Sequence, residues 1–247
     1  MDDVVDALDA AGGTTCLVGA GGKKTTLYAL ADRLDRAVLT ATVRIPIFDR
    51  EVAGVRVAED PVDALADLAN GGDEDAFPLG LVPERERDDR YRGYDPAVVD
   101  EIAAAHDGPV LVKADGARTR LLKAPNEREP QVPPGADRVV AVASAGAVGE
   151  SLDAETVHRP ERVAAVTDAE VGDEITPELV GRVLADELGG RKGVPPDATS
   201  IPFINAVDDA DDEAVAREIA GAVHERADVP RVVLARMIAG EIVDVIA

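Results

Sequence analysis

The chain has 247 residues, with 49 acidic against 26 basic side chains and a formal net charge of -23 at pH 7. A surface this acidic repels nucleic-acid backbones and anionic lipid, which excludes a general nucleic-acid binder, and no apolar run approaches the ~18 residues needed to span a bilayer. The single cysteine, Cys16, excludes an intramolecular disulfide and a cysteine-based metal cluster.

With no leader segment in view, a cytoplasmic protein is expected, with no nucleic-acid or membrane partner. Aspartate is abundant and only five residues are lysine. This reads as a halophilic signature, in which concentrated cations screen the self-repulsion, so the acidity reports habitat rather than partner.

Residues 1–12 place Val4, Val5, Leu8 and Ala11 on one helical face, which predicts a short helix laid against a sheet. Residues 15–18 read as the first strand, with Cys16 as a small buried apolar residue. The run Gly19-Ala20-Gly21-Gly22-Lys23-Lys24-Thr25-Thr26 follows and leads into a helix over 24–34. A phosphate-binding loop needs this order. Glycines let several N–H groups turn toward one anion, the helix aims its positive end at the same place, and a lysine and a hydroxyl meet the outer phosphate oxygens and magnesium. The usual pattern is Gly-x-x-x-x-Gly-Lys-Ser/Thr. Here Gly19 lies only four residues before Lys23 and five before Lys24, so the loop is shortened and either lysine can be the phosphate ligand. An ordinary glycine-rich strand-to-helix turn is the alternative.

Residues 37–40 form the second strand, and Thr40 and Thr42 at its end are placed to face a nucleotide or to serve as ordinary caps. An edge strand over 55–58 and a helix over 61–68, capped by Asp60, come next. Residues 70–75 read as a surface loop and 79–82 as a strand. Arg85, Arg87, Arg90 and Arg92 alternate with acids in 84–94, read as a solvated, partly mobile loop or, alternatively, as an arginine-bearing lid over a phosphate. Asp95-Pro96 opens a helix to 105.

The apolar strand at 109–112 runs into Lys113-Ala114-Asp115-Gly116-Ala117. An acid at the end of such a strand is the Walker B arrangement, in which a carboxylate holds magnesium. Residues 121–130 mix prolines, charges and an apolar pair and predict no regular structure, a feature of functional loops. A strand over 138–143, the loop residue His158, and helices over 162–165 and 177–188 follow. The strand over 200–205 ends in Asn205-Ala206-Val207-Asp208, the Asn-x-x-Asp spacing by which many GTPases read guanine, or else a turn capping the next helix. A helix over 213–226 and a hairpin of 231–235 with 242–246 close the chain.

Four of the five lysines, Lys23, Lys24, Lys113 and Lys123, fall in the two stretches assigned to the site. Strands and helices alternate, which predicts an α/β, P-loop NTPase-like fold, a mostly parallel sheet with helices on both faces. One domain over 1–247 is expected, with an irregular central region at about 116–175 contributing a second pocket.

Several separated stretches together resemble the YqeC family, whose members are described as accessory proteins of selenium-dependent molybdenum hydroxylases. The matching pieces are residues 18–23, Asp115-Gly116-Ala117, Leu122-Lys123-Ala124-Pro125 with Glu127, Glu129 and Pro130, Val157-His158-Arg159-Pro160-Glu161, and Asn205 with Asp208. Three positions depart from the family: Lys113 stands where it has Glu, Lys24 precedes the usual Thr, and Ala206 replaces Lys. The resemblance implies a role in maturing a molybdenum hydroxylase or its cofactor. On this reading Mg2+ with ATP or GTP occupies Gly19, Ala20, Gly21, Gly22, Lys23, Lys24, Thr25 and Thr26, with Thr40, Thr42, Lys123, Asn205 and Asp208 also lining the nucleotide site. Thr25 and Asp115 hold the metal. Lys23, Asp115 and His158 are the catalytic candidates, and Lys123, Glu127 and His158 line the second pocket, where a cofactor precursor or partner enzyme is handled. A small-molecule kinase or ATP-dependent ligase, and a non-hydrolytic scaffold or chaperone for a metalloenzyme, are the alternatives.

Overall fold

The structure, a computed structural model, describes residues 3–71 and 74–247. Helix α1 (Val4–Ala7) is capped by Asp3, whose carboxylate accepts from the Val5 N–H. It buries Val4 and Ala7, with Leu8 and Ala10 beyond it, whereas Ala11 of the predicted face is exposed. Strand β1 (Thr14–Gly19) runs into the glycine turn and α2 (Lys23–Arg33). Strand β2 (Val38–Ala41) is buried throughout, and β3 (Ile45–Pro46) and β4 (Gly54–Val57) follow. Helix α3 (Pro61–Gly71) starts where Asp60 Oδ1 accepts from the Val62 and Asp63 N–H groups. It runs past its predicted end, so Asn70 and Gly71 of the expected loop are helical; residues 72 and 73 of that loop lie outside the described residues.

Next come β5 (Leu79–Val82), β6 (Arg90–Tyr91), α4 (Pro96–Ala105) and β7 (Val110–Lys113). The stretch 84–94 is solvated along its charged residues, as expected, and also carries the short strand β6. Its β6 pairs antiparallel with β3, and Tyr91 is buried edge-on against Phe48 at 5.5 Å between ring centroids, its hydroxyl donating to Asp49 at 2.8 Å. An aromatic anchor at one end holds a flap whose charged side chains stay outside. Beyond it lie β8 (Leu122–Lys123), β9 (Arg138–Ser144), β10 (Val157–His158), α5 (Pro160–Thr167) and α6 (Pro177–Ala185). The 121–130 stretch therefore carries one short strand, β8, which pairs in parallel with β10. Strand β11 (Thr199–Asn205), α7 (Ala210–His224), β12 (Val232–Arg236) and β13 (Glu241–Ile246) complete the chain.

Nine strands form one sheet in the order β13-β12-β11-β9-β1-β7-β2-β5-β4. Every pair is parallel except β12 with β13, the terminal hairpin. The fold is thus α/β with a mostly parallel sheet and helices on both faces, consistent with a P-loop NTPase-like fold. The period of two along each strand sorts the core. Cys16, Val112 and Val139 face Val99, Val180 and Ile219 from α4, α6 and α7, while Leu17, Leu111 and Val140 face Val4, Leu27 and Leu30 from α1 and α2. Among the described residues no helix is long and apolar enough to cross a membrane.

Strand β1 is the pivot of the topology. From it the chain works outward through β2 to the β4 edge, returns through β5 to β7, and then crosses to β9 on the other side of β1. Such a reversal opens a crevice at the carboxyl ends of the central strands, where ligands bind in open α/β sheets. Leu17 lies at the middle of this pivot and is fully buried. Leu17→Ala is expected to destabilise the protein by roughly 2–5 kcal/mol, read from urea unfolding.

Candidate functional site

The glycine loop closes the carboxyl end of β1 by backbone approaches that no side chain would allow. Gly19 has φ +88°, and a Cβ there would meet Val142 O of β9 at 2.2 Å. Gly22 has φ +145°, and a Cβ there would meet the Asn205 amide nitrogen at 2.2 Å. Asn205 uses both ends of its amide: Nδ2 donates to Gly21 O at 2.8 Å, and Oδ1 accepts from the Met237 N–H at 3.0 Å. One side chain at the end of β11 thereby ties the loop after β1 to the turn after β12. Gly22 is the N-cap of α2 and offers it no side-chain acceptor, so the first-turn N–H groups have no side-chain cap.

Asp115, just beyond β7, is the centre of a buried ionic cluster. Its Oδ1 lies 2.8 Å from Lys23 Nζ, and its Oδ2 lies 2.9 Å from Lys123 Nζ and accepts from the Gly19 N–H at 2.9 Å. Lys123 reaches on to Glu129 Oε2 at 2.7 Å, which also receives Arg159 Nη1 at 2.8 Å. Lys23 donates to Gly19 O and Lys123 to Gly116 O. Lys113, on the last residue of β7, donates to the Asp115 carbonyl at 2.7 Å and to the Arg44 carbonyl at 3.0 Å, linking the flap to the cluster. Lys23, Lys113, Asp115 and Lys123 are 5%, 6%, 1% and 3% exposed. Three cations, Lys23, Lys123 and Arg159, thus contact two carboxylates, with Lys113 bonded to the backbone beside them, inside a chain of net charge -23.

The electrostatics follow from this crowding. Burial pushes the Asp115 carboxyl up, but Lys23 and Lys123 outweigh it and hold it below the usual carboxylate range. Glu129 is held down in the same way, burial being overcome by Lys123 and Arg159. Lys23 is lowered by burial despite its bond to Asp115. Lys113 is pulled down to about 7, by burial first and then by the neighbouring Lys23 ammonium. His158 falls to about 4 through burial and the charges of Arg159 and Lys123.

The structure gathers Gly19, Ala20, Gly21, Gly22, Lys23, Asp115, Lys123 and Asn205 at one place, with His158 on β10 beside Lys123. Lys24 and Thr25 are exposed on the first turn of α2, and Thr26 is buried, its hydroxyl donating to Gly22 O at 3.2 Å. Thr40 donates to Leu81 O at 2.7 Å and Thr42 to Gln131 O at 2.6 Å, so both hydroxyls are engaged with backbone. Asp208 is exposed on the turn after β11, its carbonyl accepting from Arg236. Glu127 pairs with Arg162 at the surface. Two members of the cluster, Glu129 and Arg159, carry no role in the sequence reading, although both lie within the family stretches, which is a usable signal. Lys113 is among the lysines that the sequence places in the site, and the structure shows how it joins, through the Asp115 and Arg44 carbonyls.

Magnesium is expected at Thr25 and Asp115. Asp115 Oδ2 is held by Lys123 and the Gly19 N–H, Oδ1 is in ion-pair contact with Lys23 but receives no hydrogen bond, and Thr25 is exposed on the first turn of α2. Among the described residues no group of three or more His, Cys, Asp or Glu could hold a metal ion. A dication at Asp115 would meet the Lys23 and Lys123 ammonium groups at short range, so a divalent metal held there has to displace at least one of them.

A family model described as YqeC protein matches residues 15–161. The protein named "Uncharacterized protein YqeC" from Escherichia coli (strain K12) is 28% identical over 193 residues, covering 76% of this chain and 74% of that protein.

Two outcomes test the geometry. Asn205→Ala removes a partner from Gly21 O and from the Met237 N–H and is expected to cost about 1–3 kcal/mol in urea unfolding. Lys113 keeps its proton in the unfolded chain up to its ordinary 10.5 but loses it near 7 when folded, so stability rises with pH across that window. Lys113→Met removes much of this rise and is expected to stabilise the protein at pH 6 by ~1 kcal/mol or more, read by thermal melting at pH 6 and 9.

Proposed function

This chain belongs to the YqeC family, and we propose that it is a nucleotide-binding accessory protein in the maturation of a molybdenum hydroxylase or its cofactor. The observation that carries the nucleotide reading is the buried excess of cations at the glycine loop of an otherwise strongly acidic chain. Burying lysines is costly, and a chain that has only five keeps three of them here. The uncapped first turn of α2 adds backbone donors and the positive end of the helix dipole. ATP or GTP would place its outer phosphates at residues 19–25, with Lys23 exchanging Asp115 for a phosphate oxygen and exposed Lys24 as the second candidate ligand. Lys123, Glu129, Arg159 and His158 would then form the neighbouring wall, where a cofactor precursor or partner is handled.

A second reading, a nucleotide-binding scaffold that does not hydrolyse its ligand, is favoured by one observation. Asp115 and Glu129 are both ion-paired with cations, and the resemblance gives Lys113 where the family has Glu, so no carboxylate in the cluster is without a cation beside it.

Calorimetric titration of ATP and of GTP tests the reading. Binding of at least one is expected with a dissociation constant at or below about 1 mM, weakened about tenfold or more by Lys23→Ala. Lys24→Ala, tested in parallel, identifies which lysine meets the phosphates. Absence of binding by both nucleotides at millimolar concentration overturns the proposal.

A further inference from the structure

The cluster holds one buried lysine whose hydrogen bonds go to backbone carbonyls rather than to a carboxylate. Lys113 is 6% exposed, and its ammonium is bonded to two carbonyl oxygens, those of Asp115 and Arg44. Among the described residues no carboxylate lies within ion-pair distance of it, whereas Lys23 and Lys123 each contact Asp115. A buried ammonium with no carboxylate in direct contact is costly, and an apolar side chain of the same length removes that cost while giving up the bonds to the two carbonyls. Its position is specific. It ends β7, in register with Leu17 of β1, and its Nζ binds the backbone of the residue whose carboxylate holds Gly19 and Lys23. The neighbouring strand end thus brings positive charge to the base of the glycine loop, where a phosphate site more commonly supplies a carboxylate and a metal ion.

We propose that this site takes the metal-free form of a nucleoside polyphosphate, with Lys113 and Lys123 supplying the positive charge that a divalent cation would otherwise bring. The inference rests on the nucleotide reading above and sharpens its ligand class to the free polyphosphate anion. Two observations carry it independently of Lys113: two ammonium groups, Lys23 and Lys123, already flank the Asp115 carboxylate, and Lys23, Lys123 and Arg159 outnumber Asp115 and Glu129. A phosphate group entering beside them completes the neutralisation that Asp115 and Glu129 leave unfinished. A metal ion entering there adds to the excess.

The test is calorimetric titration of the full chain with ATP and with GTP, at matched ionic strength, in EDTA and again in magnesium. The wild-type protein is expected to bind the metal-free nucleotide at least as tightly as its magnesium complex. Lys113→Met, verified as folded by thermal melting, is expected to weaken metal-free binding about tenfold or more. Lys113→Glu is expected to shift the preference toward the magnesium complex. Wild-type affinity that falls about tenfold or more on removing magnesium overturns this inference while leaving the nucleotide reading intact. Metal-free binding by Lys113→Met equal to wild type overturns the role of Lys113. Absence of binding in both conditions overturns the nucleotide reading and this inference together.

Discussion

The carboxylate of Asp115 is the joint on which the centre of this molecule depends. It receives the Gly19 N–H, the Lys23 ammonium and the Lys123 ammonium, and so fastens the glycine loop, the first turn of α2 and strand β8 onto the end of β7. These pieces are distant in the chain, and none could hold its geometry alone. A loop with three glycines has much conformational freedom to lose on folding. Charge-assisted bonds in a water-poor site, together with the amide bridge of Asn205, offset that loss. The arrangement extends outward through Lys123 to Glu129 and Arg159, so the β8–β10 pair is ordered by the same network.

The distribution of charge is the second organising constraint. Acidic side chains cover the surface, and where cations pair with them outside, as in Arg217 with Glu213, the pairs are exposed and contribute little. Inside, the balance is inverted, and lysine, scarce elsewhere, is concentrated. An interior that collects like charges works against stability, and such local conflict in an otherwise consistent fold is expected at functional sites. Lys113 is its clearest case, a buried amine whose hydrogen bonds go to carbonyls, with Asp115 and Glu129 acting on it only at a distance. Through Arg44 O it also joins the cluster to the flap of β3 and β6, which Phe48 and Tyr91 anchor to the sheet. A change of charge at Lys113 is therefore felt at both the loop and the flap.

Much of the fold was legible in the residues. Apolar runs such as 109–112 and 138–143 mark parallel strands buried on both faces, Asp60 and Thr176 mark helix starts, and alternation of the two element types fixes the α/β class. The weaker signals told only part. The charges of 84–94 mark a solvated stretch, but nothing local shows that Tyr91 has Phe48 to pack against. The irregular 121–130 segment contains β8 because its partner, β10, lies far along the chain.

For the candidate site, the sequence by itself determined the glycine loop, the acid at the end of β7, the clustering of lysines and the family to which these belong. Those are properties of residue type, spacing and order, which local chemistry expresses directly. Only the tertiary structure decided what each group faces. Asp115 meets two lysines, Asn205 bridges two loops, Thr40 and Thr42 turn to backbone carbonyls, and Lys113 enters the cluster without a carboxylate of its own. The reason is physical: the register of nine strands and the twist of the sheet set which side chains converge, and the energy of a buried charge depends on its neighbours rather than on its place in the chain.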